Sequence, residues 1–287
     1  MDASLWLHVL VNGLMLGMTY ALIASGLTLI FGVMRIFNFA HGEFYMLGAF
    51  AAYYLFGMLG LNFFVTVLIA MLGIGLLGIL IERVFFRPFR GQLLSSFIIS
   101  LGLLIVMSGA ALLIFGGQEK TVSTAFPGLV SFLGVTLSVE RLVVLAFALV
   151  LLVGLYLFIT RTRMGRTMRA VAQDSEAAAM QGVNINLICS LGFGLACALA
   201  AAAGTLLAPM RYVGPSIGGA IVIQAAIVIV LGGLGSIPGA VIGALLLGLV
   251  QSVCAVFMGQ MVDLIGFVLV ILVLLFRPKG LLGHEAA

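Results

Sequence analysis

Nine apolar runs alternate with short polar breaks along the chain: Leu5–Phe31, Phe39–Leu59, Phe63–Ile81, Leu94–Phe115, Leu142–Ile159, Leu187–Ala208, Ile217–Leu231, Ala240–Val256 and Met261–Phe276. A helix needs about 20 apolar residues to cross the hydrocarbon layer. The seventh and eighth runs are short and are divided by GGLGSIPG, Gly232–Gly239. They are either two short spans or one bent, partly re-entrant hairpin. The pattern therefore predicts an all-α polytopic membrane protein with eight or nine transmembrane helices, in one domain covering residues 1–287.

Two breaks are long. Gly116–Glu140 is rich in Gly, Ser, Thr and Pro and reads as a surface loop. Arg161–Asn186, RTRMGRTMRAVAQDSEAAAMQGVNIN, is the one compact polar stretch and carries four arginines. Within it, Asp174 and Ser175 suit a helix start, Glu176 meets the positive helix end, and Ala177, Ala178 and Ala179 are strong helix formers. Gly182 can end that helix at positive φ. A helix of about 12 Å is marginal alone in water and calls for a partner surface. The bland reading is an ordinary loop whose arginines only fix topology.

Composition agrees with the pattern. Hydrophobic residues make up 64% and charged residues 8% of the chain, against roughly 25% charged in soluble domains. Lipid must therefore be the solvent for most of the surface. The formal charge of +4 is small and points to no nucleic-acid partner. Its placement is more telling. If Arg161–Asn186 is cytosolic, alternation puts Arg35, Arg83, Arg87, Arg90, Arg277 and Lys279 on the same side. Only Lys120, Arg141 and Arg211 fall outside, ten against three. This is the bias of the positive-inside rule. Nine spans then give an external N-terminus, a cytosolic C-terminus, and an external 116–140 loop. The start, MDASLWLHVL, lacks a basic n-region and reads as the beginning of a first span.

Candidate chemistry is sparse. Cys189, Cys197 and Cys254 all lie in apolar runs without a CxxC pair, and no histidine cluster or HExxH suggests a metal. No GxxxxGK[ST] is present, so this chain has no P-loop for ATP. No triad or carboxylate pair suggests an enzyme. Asp263, at the start of the last run, reads as an external helix cap. Asn38, His41 and Glu43, in NFAHGE, open the second run; polar groups there are either an interfacial cap or part of a transport path. Gly232, Gly233, Gly235, Ser236, Pro238 and Gly239 form either a tight turn or a helix break lining a cavity. Gly13-x3-Gly17, Gly214-x3-Gly218 and Gly239-x3-Gly243 allow close helix packing. Gly48–Gly60 and Gly232–Gly248 echo each other too weakly to be called a repeat.

EAAAMQG, Glu176–Gly182, resembles the EAA-x3-G loop of bacterial ABC-importer permeases, although the I-x-L-P continuation is missing. GVMRIFNFAHGEFYMLGAF, IERVFFRPFR, the 161–185 stretch and VLGGLGSIPGAVIGALLLG together resemble the LivH-type permeases of branched-chain amino-acid ABC importers. The resemblance covers the whole chain. It implies a non-enzymatic permease subunit in the bacterial inner membrane, with Asp174, Ser175, Glu176, Ala177, Ala178 and Gly182 docking on an ATPase. ATP and Mg would be held by two partner ATPase subunits. The remaining partners implied are a second permease, LivM-like or a second copy, and an external substrate-binding protein. Permeases for urea and short amides share similar motifs. An ATP-independent channel or secondary carrier is the alternative from another class, with Glu43 as its main ionisable candidate.

Overall fold

The computed structural model describes residues 3–132, 135–259, 262–277 and 280–282. Lys279, Met261 and the side chain of Asp263, on which expectations above rest, lie outside what is described.

Each of the nine apolar runs is helical. The first forms α1 (Ala3–Met34), of 32 residues and so about 48 Å long. The second forms α2 (His41–Ala51), which continues through a π-helical stretch, Ala52–Met58. The third forms α3 (Phe63–Ile81), extended by π and 3-10 turns over Glu82–Phe86 and Arg87–Phe89. Then follow α4 (Leu93–Phe115) and α5 (Val139–Arg161). Two short helices, α6 (Arg163–Gln173) and α7 (Ser175–Met180), precede α8 (Ile185–Leu207). The chain ends with α9 (Ile217–Gly232), α10 (Ile237–Met258) and α11 (Val262–Phe276). Six of these helical segments are long and apolar enough to cross a membrane, while Ile217–Gly232 and Leu264–Phe276 are apolar but shorter. The 116–140 loop adds one feature to the all-α expectation. It carries a hairpin of β1 (Leu129–Phe132) and β2 (Val135–Ser138), paired antiparallel with Leu129 opposite Ser138.

Helix starts follow local chemistry. Asn62 accepts from the Phe64 N–H at 3.0 Å and Asn184 from Leu187 at 3.1 Å. Thr162 accepts from Gly165 at 3.0 Å and Ser236 from Gly239 at 3.1 Å. Each satisfies an amide that the first helical turn leaves open.

The bundle is built around α1 and α8. The α1 helix packs on α10, α8, α5 and α9, while α8 packs on α3, α2 and α1. The pairings match in sets: α1 with α10 corresponds to α8 with α3, α1 with α9 to α8 with α2, and α2 meets α9 directly. The C-terminal end of α1 (Gly32, Val33) shares a small cavity with α6 (Met168, Arg169, Ala172), which lies at the N-terminal end of α8. Hence α1 and α8 run in opposite directions. The α1–α4 and α8–α11 segments thus interlock as two halves of opposite sense, a common transporter design. The outer faces of α3, α4, α5 and α11 expose a belt of large apolar side chains, Leu72, Leu113, Val150 and Leu275 among them. Such a surface suits lipid and not water.

Candidate functional site

Three places hold the residues singled out above. The first is α7. Asp174 Oδ1 accepts from the Glu176 and Ala177 amides, both at 2.9 Å, fixing the first turn. Gly182 closes the helix at φ 81°, and its N–H donates to the Ala179 carbonyl at 2.9 Å. Ala178 turns inward and is buried, whereas Ser175, Glu176, Ala177 and Gly182 are exposed and Met180 is 82% exposed. Helix α6 anchors this knob. It is amphipathic, burying Met168 and Val171 while Arg163, Arg166 and Gln173 stay exposed.

The second place is the start of α2. Asn38 lies before the helix, where its Oδ1 accepts from the Ala40 amide at 3.1 Å. His41 Nε2 donates to the Ile23 carbonyl in α1 at 3.2 Å. Ile23 is eleven residues from the end of α1, about 16 Å inside the bundle. Asn38 and His41 are fully buried and Glu43 is 1% exposed. This trio is interior to the helix bundle. Asn38 Nδ2, His41 Nδ1 and Glu43 Oε2 find no hydrogen-bond partner among the described residues. The start of α9 abuts the start of α2: a Cβ on Gly42 would sit 2.8 Å from the Gly218 carbonyl carbon and 3.1 Å from Val222 Cβ. Glycine at both positions lets two helix N-termini, each with a partial positive charge, converge beside Glu43.

The third place, Gly232–Gly239, is a tight turn between α9 and α10. Gly233 and Gly235 take φ of 102° and 83°, and Pro238 sits in the first turn of α10. The chain end covers it: Leu281 N–H donates to Leu231 O at 2.8 Å and Leu282 N–H to Gly232 O at 3.0 Å. Gly235 and Ile237 share the small cavity of Thr28, Gly32, Met168 and Arg169. The turn therefore neighbours the α6–α7 arm. It does not join the NFAHGE trio: Gly218 and Gly232 are fourteen residues apart on α9, about 21 Å.

Sequence reasoning missed two polar clusters. In one, Glu82 is fully buried and pairs with Arg90. Ser190 Oγ donates to Glu82 Oε2 at 2.5 Å, Arg90 Nη1 donates to Asn186 Oδ1 at 2.7 Å, and Arg87 Nη2 donates to Ser190 Oγ at 3.3 Å. This fastens the end of α3 to the first two turns of α8, just beyond α7. The ERVFFRPFR stretch carried that signal, but its arginines gave only topology and its pattern only the family resemblance. In the other, Gln251 Nε2 donates to Gln224 Oε1 at 3.1 Å, Asn12 Nδ2 donates to Ser252 Oγ at 3.2 Å, and Ser252 Oγ donates to Val9 O at 2.7 Å. Lone polar residues inside apolar runs were the available signal.

The chain matches the family described as "Branched-chain amino acid transport system / permease component" over residues 9–276. It belongs to this permease family. The permease is 42% identical to the high-affinity branched-chain amino acid transport system permease protein BraD of Pseudomonas aeruginosa, covering 97% of this chain and 96% of the relative. It is 34% identical to LivH, the permease protein of that name from Escherichia coli K12, with the same coverage. It is 27% identical to a probable branched-chain amino acid transport permease protein LivH of Methanocaldococcus jannaschii, over 92% of this chain and 88% of the relative. No solved structure matches the permease. Family membership and the apolar helices make it a multi-pass membrane protein with a transport role.

Proposed function

We propose that this permease is the membrane subunit of an ATP-driven ABC importer for branched-chain and related hydrophobic amino acids. The carrying observation is the exposed knob of α7, built by the Asp174 cap and the Gly182 stop in a chain that belongs to the permease family. Asp174, Ser175, Glu176, Ala177, Ala178 and Gly182 form the surface that an ATPase subunit grips. Two such subunits hold ATP and Mg, a second permease (a LivM-like relative or another copy) completes the pore, and an external binding protein delivers cargo. The bacterial inner membrane is the setting, with eight or nine spans and α7 in the cytosol.

The mechanism is alternating access. Closure of the ATPases displaces α7 and α6 together. The α6 helix shares a cavity with α1 and the Gly232–Gly239 turn, so the displacement reaches both interlocked halves as a rigid-body shift. Gly232, Gly233, Gly235, Ser236, Pro238 and Gly239 then act at the inner gate. Asn38, His41 and Glu43 line the path where α2 and α9 meet, their open polar atoms offering sites to a passing zwitterion.

The test is co-purification and uptake. The detergent-solubilised wild-type chain brings down an ATPase, and vesicles bearing the complex take up leucine only with ATP. Gly182→Trp, a bulky side chain on the exposed φ-positive stop, abolishes uptake while membrane insertion persists. Leucine uptake at full rate by Gly182→Trp, or in vesicles lacking any ATPase, rejects this function. Competition by leucine and not by urea or acetamide separates this cargo from short amides.

A further inference from the structure

At the end of the bundle away from α7, a cavity of about 220 Å³ opens between α1, α9, α10 and α11. Its position follows from the helices. Arg211 lies just after α8, whose 23 residues span about 35 Å from the α7 end. Asn12 comes from the first half of α1 and Tyr20 from its middle, Gln224 from α9, and Gln251 and Ser252 from the far half of α10. Gln251 and Ser252 are each 3% exposed and Gln224 is 8% exposed. Polar side chains at such depth cost free energy unless satisfied, and their ordinary use is to bond helices to one another. The Gln251–Gln224 and Asn12–Ser252 hydrogen bonds do this. Helix bonding alone, however, calls for tight packing and leaves no opening. Here the bonded groups face open space with an exposed arginine on its wall.

The chemistry of the lining is asymmetric. Arg211 is a fixed cation, and no described lining residue is negative. Amide and hydroxyl oxygens supply acceptors, and Leu16, Ile221 and Val262 supply an apolar wall. The volume lies below the ~300–1,000 Å³ of drug-sized ligand sites. We infer that this cavity is an entry subsite for one α-amino acid: Arg211 takes the carboxylate, the Gln251 and Ser252 oxygens take the ammonium, and Leu16 with Ile221 takes the branched side chain. The ligand's identity rests on the transport function proposed above, whereas the cavity and its charge stand on geometry. A charge-assisted bond to arginine is the strong contact in this set. The site discriminates first for a carboxylate and only weakly among apolar side chains.

The test uses thiol protection in membranes bearing the full chain and needs no ATPase. Ala255 lines the cavity. Ala255→Cys is placed in a Cys254→Ser background, Cys189 and Cys197 being buried. A membrane-impermeant methanethiosulfonate added from outside modifies the new thiol. Leucine slows the modification several-fold, and leucinol, which lacks the carboxylate, does not. Arg211→Gln raises the half-protecting leucine concentration by on the order of tenfold or more, as expected for losing one hydrogen bond to a charged group. Absence of protection by leucine overturns the inference, as does equal protection by leucinol or unchanged protection in Arg211→Gln. Because labelling is independent of uptake, protection without ATP-driven leucine transport would reject the importer function and keep the subsite. Transport without protection would do the reverse.

Discussion

At the scale of single residues, the decisive groups are polar side chains held where water is scarce. Glu82 is fully buried, and its carboxylate is engaged by Arg90 and Ser190. Removing the carboxylate takes a charged hydrogen-bond partner from Arg90, whose side chain is 20% exposed and keeps Asn186, at a cost of about 1.5–3 kcal/mol. Glu82→Ala should therefore lower the thermal midpoint of the detergent-solubilised permease markedly. Exposure of the buried thiols Cys189 and Cys197 to a thiol-reactive dye reports the transition. Glu82→Gln keeps an acceptor for Ser190 and should lose less; equal midpoints for wild type and Glu82→Ala would show that the pair does not stabilise the fold. Such residues were hard to read in the sequence. NFAHGE drew notice because three polar residues cluster within it. Its burial depends on α9 starting beside α2, a contact between residues 176 positions apart in sequence, as with Gly42 and Gly218. Gln224 and Gln251 each stand alone in an apolar run, and only the tertiary pairing gives them meaning. Glu82 was legible as a charge and not as a bonded one.

At the scale of elements, sequence and structure agree best where the cause is local. The α7 start and stop followed from Asp174 and Gly182, because an N-cap acceptor and a left-handed residue act within four positions. The boundaries of α2 depended on more. Asn38 and Phe39 fit a helical phase, yet the helix begins at His41, since Asn38 spends its side-chain oxygen on the Ala40 amide in a local turn. The hairpin in the 116–140 loop also went unseen: its strands are four residues each, too short for alternation to stand out. The cap on α7 carries a prediction of its own. Asp174→Ala removes the acceptor for two amides and should cost the helix about 1 kcal/mol. Helix α7 has six residues and cannot absorb that loss alone. The expected result is frayed α7, with faster hydrogen exchange across Glu176–Gln181 and, on the function proposed above, weaker retention of the proposed ATPase partner on purification, while α6 exchanges as before. Unchanged exchange in Asp174→Ala would show that contacts to α6 and not the cap hold α7.

At the scale of the whole molecule, the matched pairings, α1 on α10 with α8 on α3, describe two interlocked halves running in opposite directions. The weak glycine echo in the sequence did not reveal this, because inverted halves share a packing scheme and need not share residues. The opposite sense of α1 and α8 has a consequence for sidedness. The α7 knob and the β1–β2 hairpin sit at opposite ends: α7 leads into the start of α8, whereas β2 packs on α1 near its own start, where Leu137 meets Val11. Under the sidedness proposed above from arginine placement, α7 lies inside and the hairpin outside. Single cysteines at Met180 and Leu129, both well exposed at 82% and 72%, should be modified by an impermeant thiol reagent from opposite faces of the membrane. Met180→Cys should react only in inside-out vesicles and Leu129→Cys only in right-side-out ones. If both react from one face, the number of crossings between them is even. Helix α5, the one candidate span described between them, would then not cross the membrane, and the sidedness read from the arginines would fail.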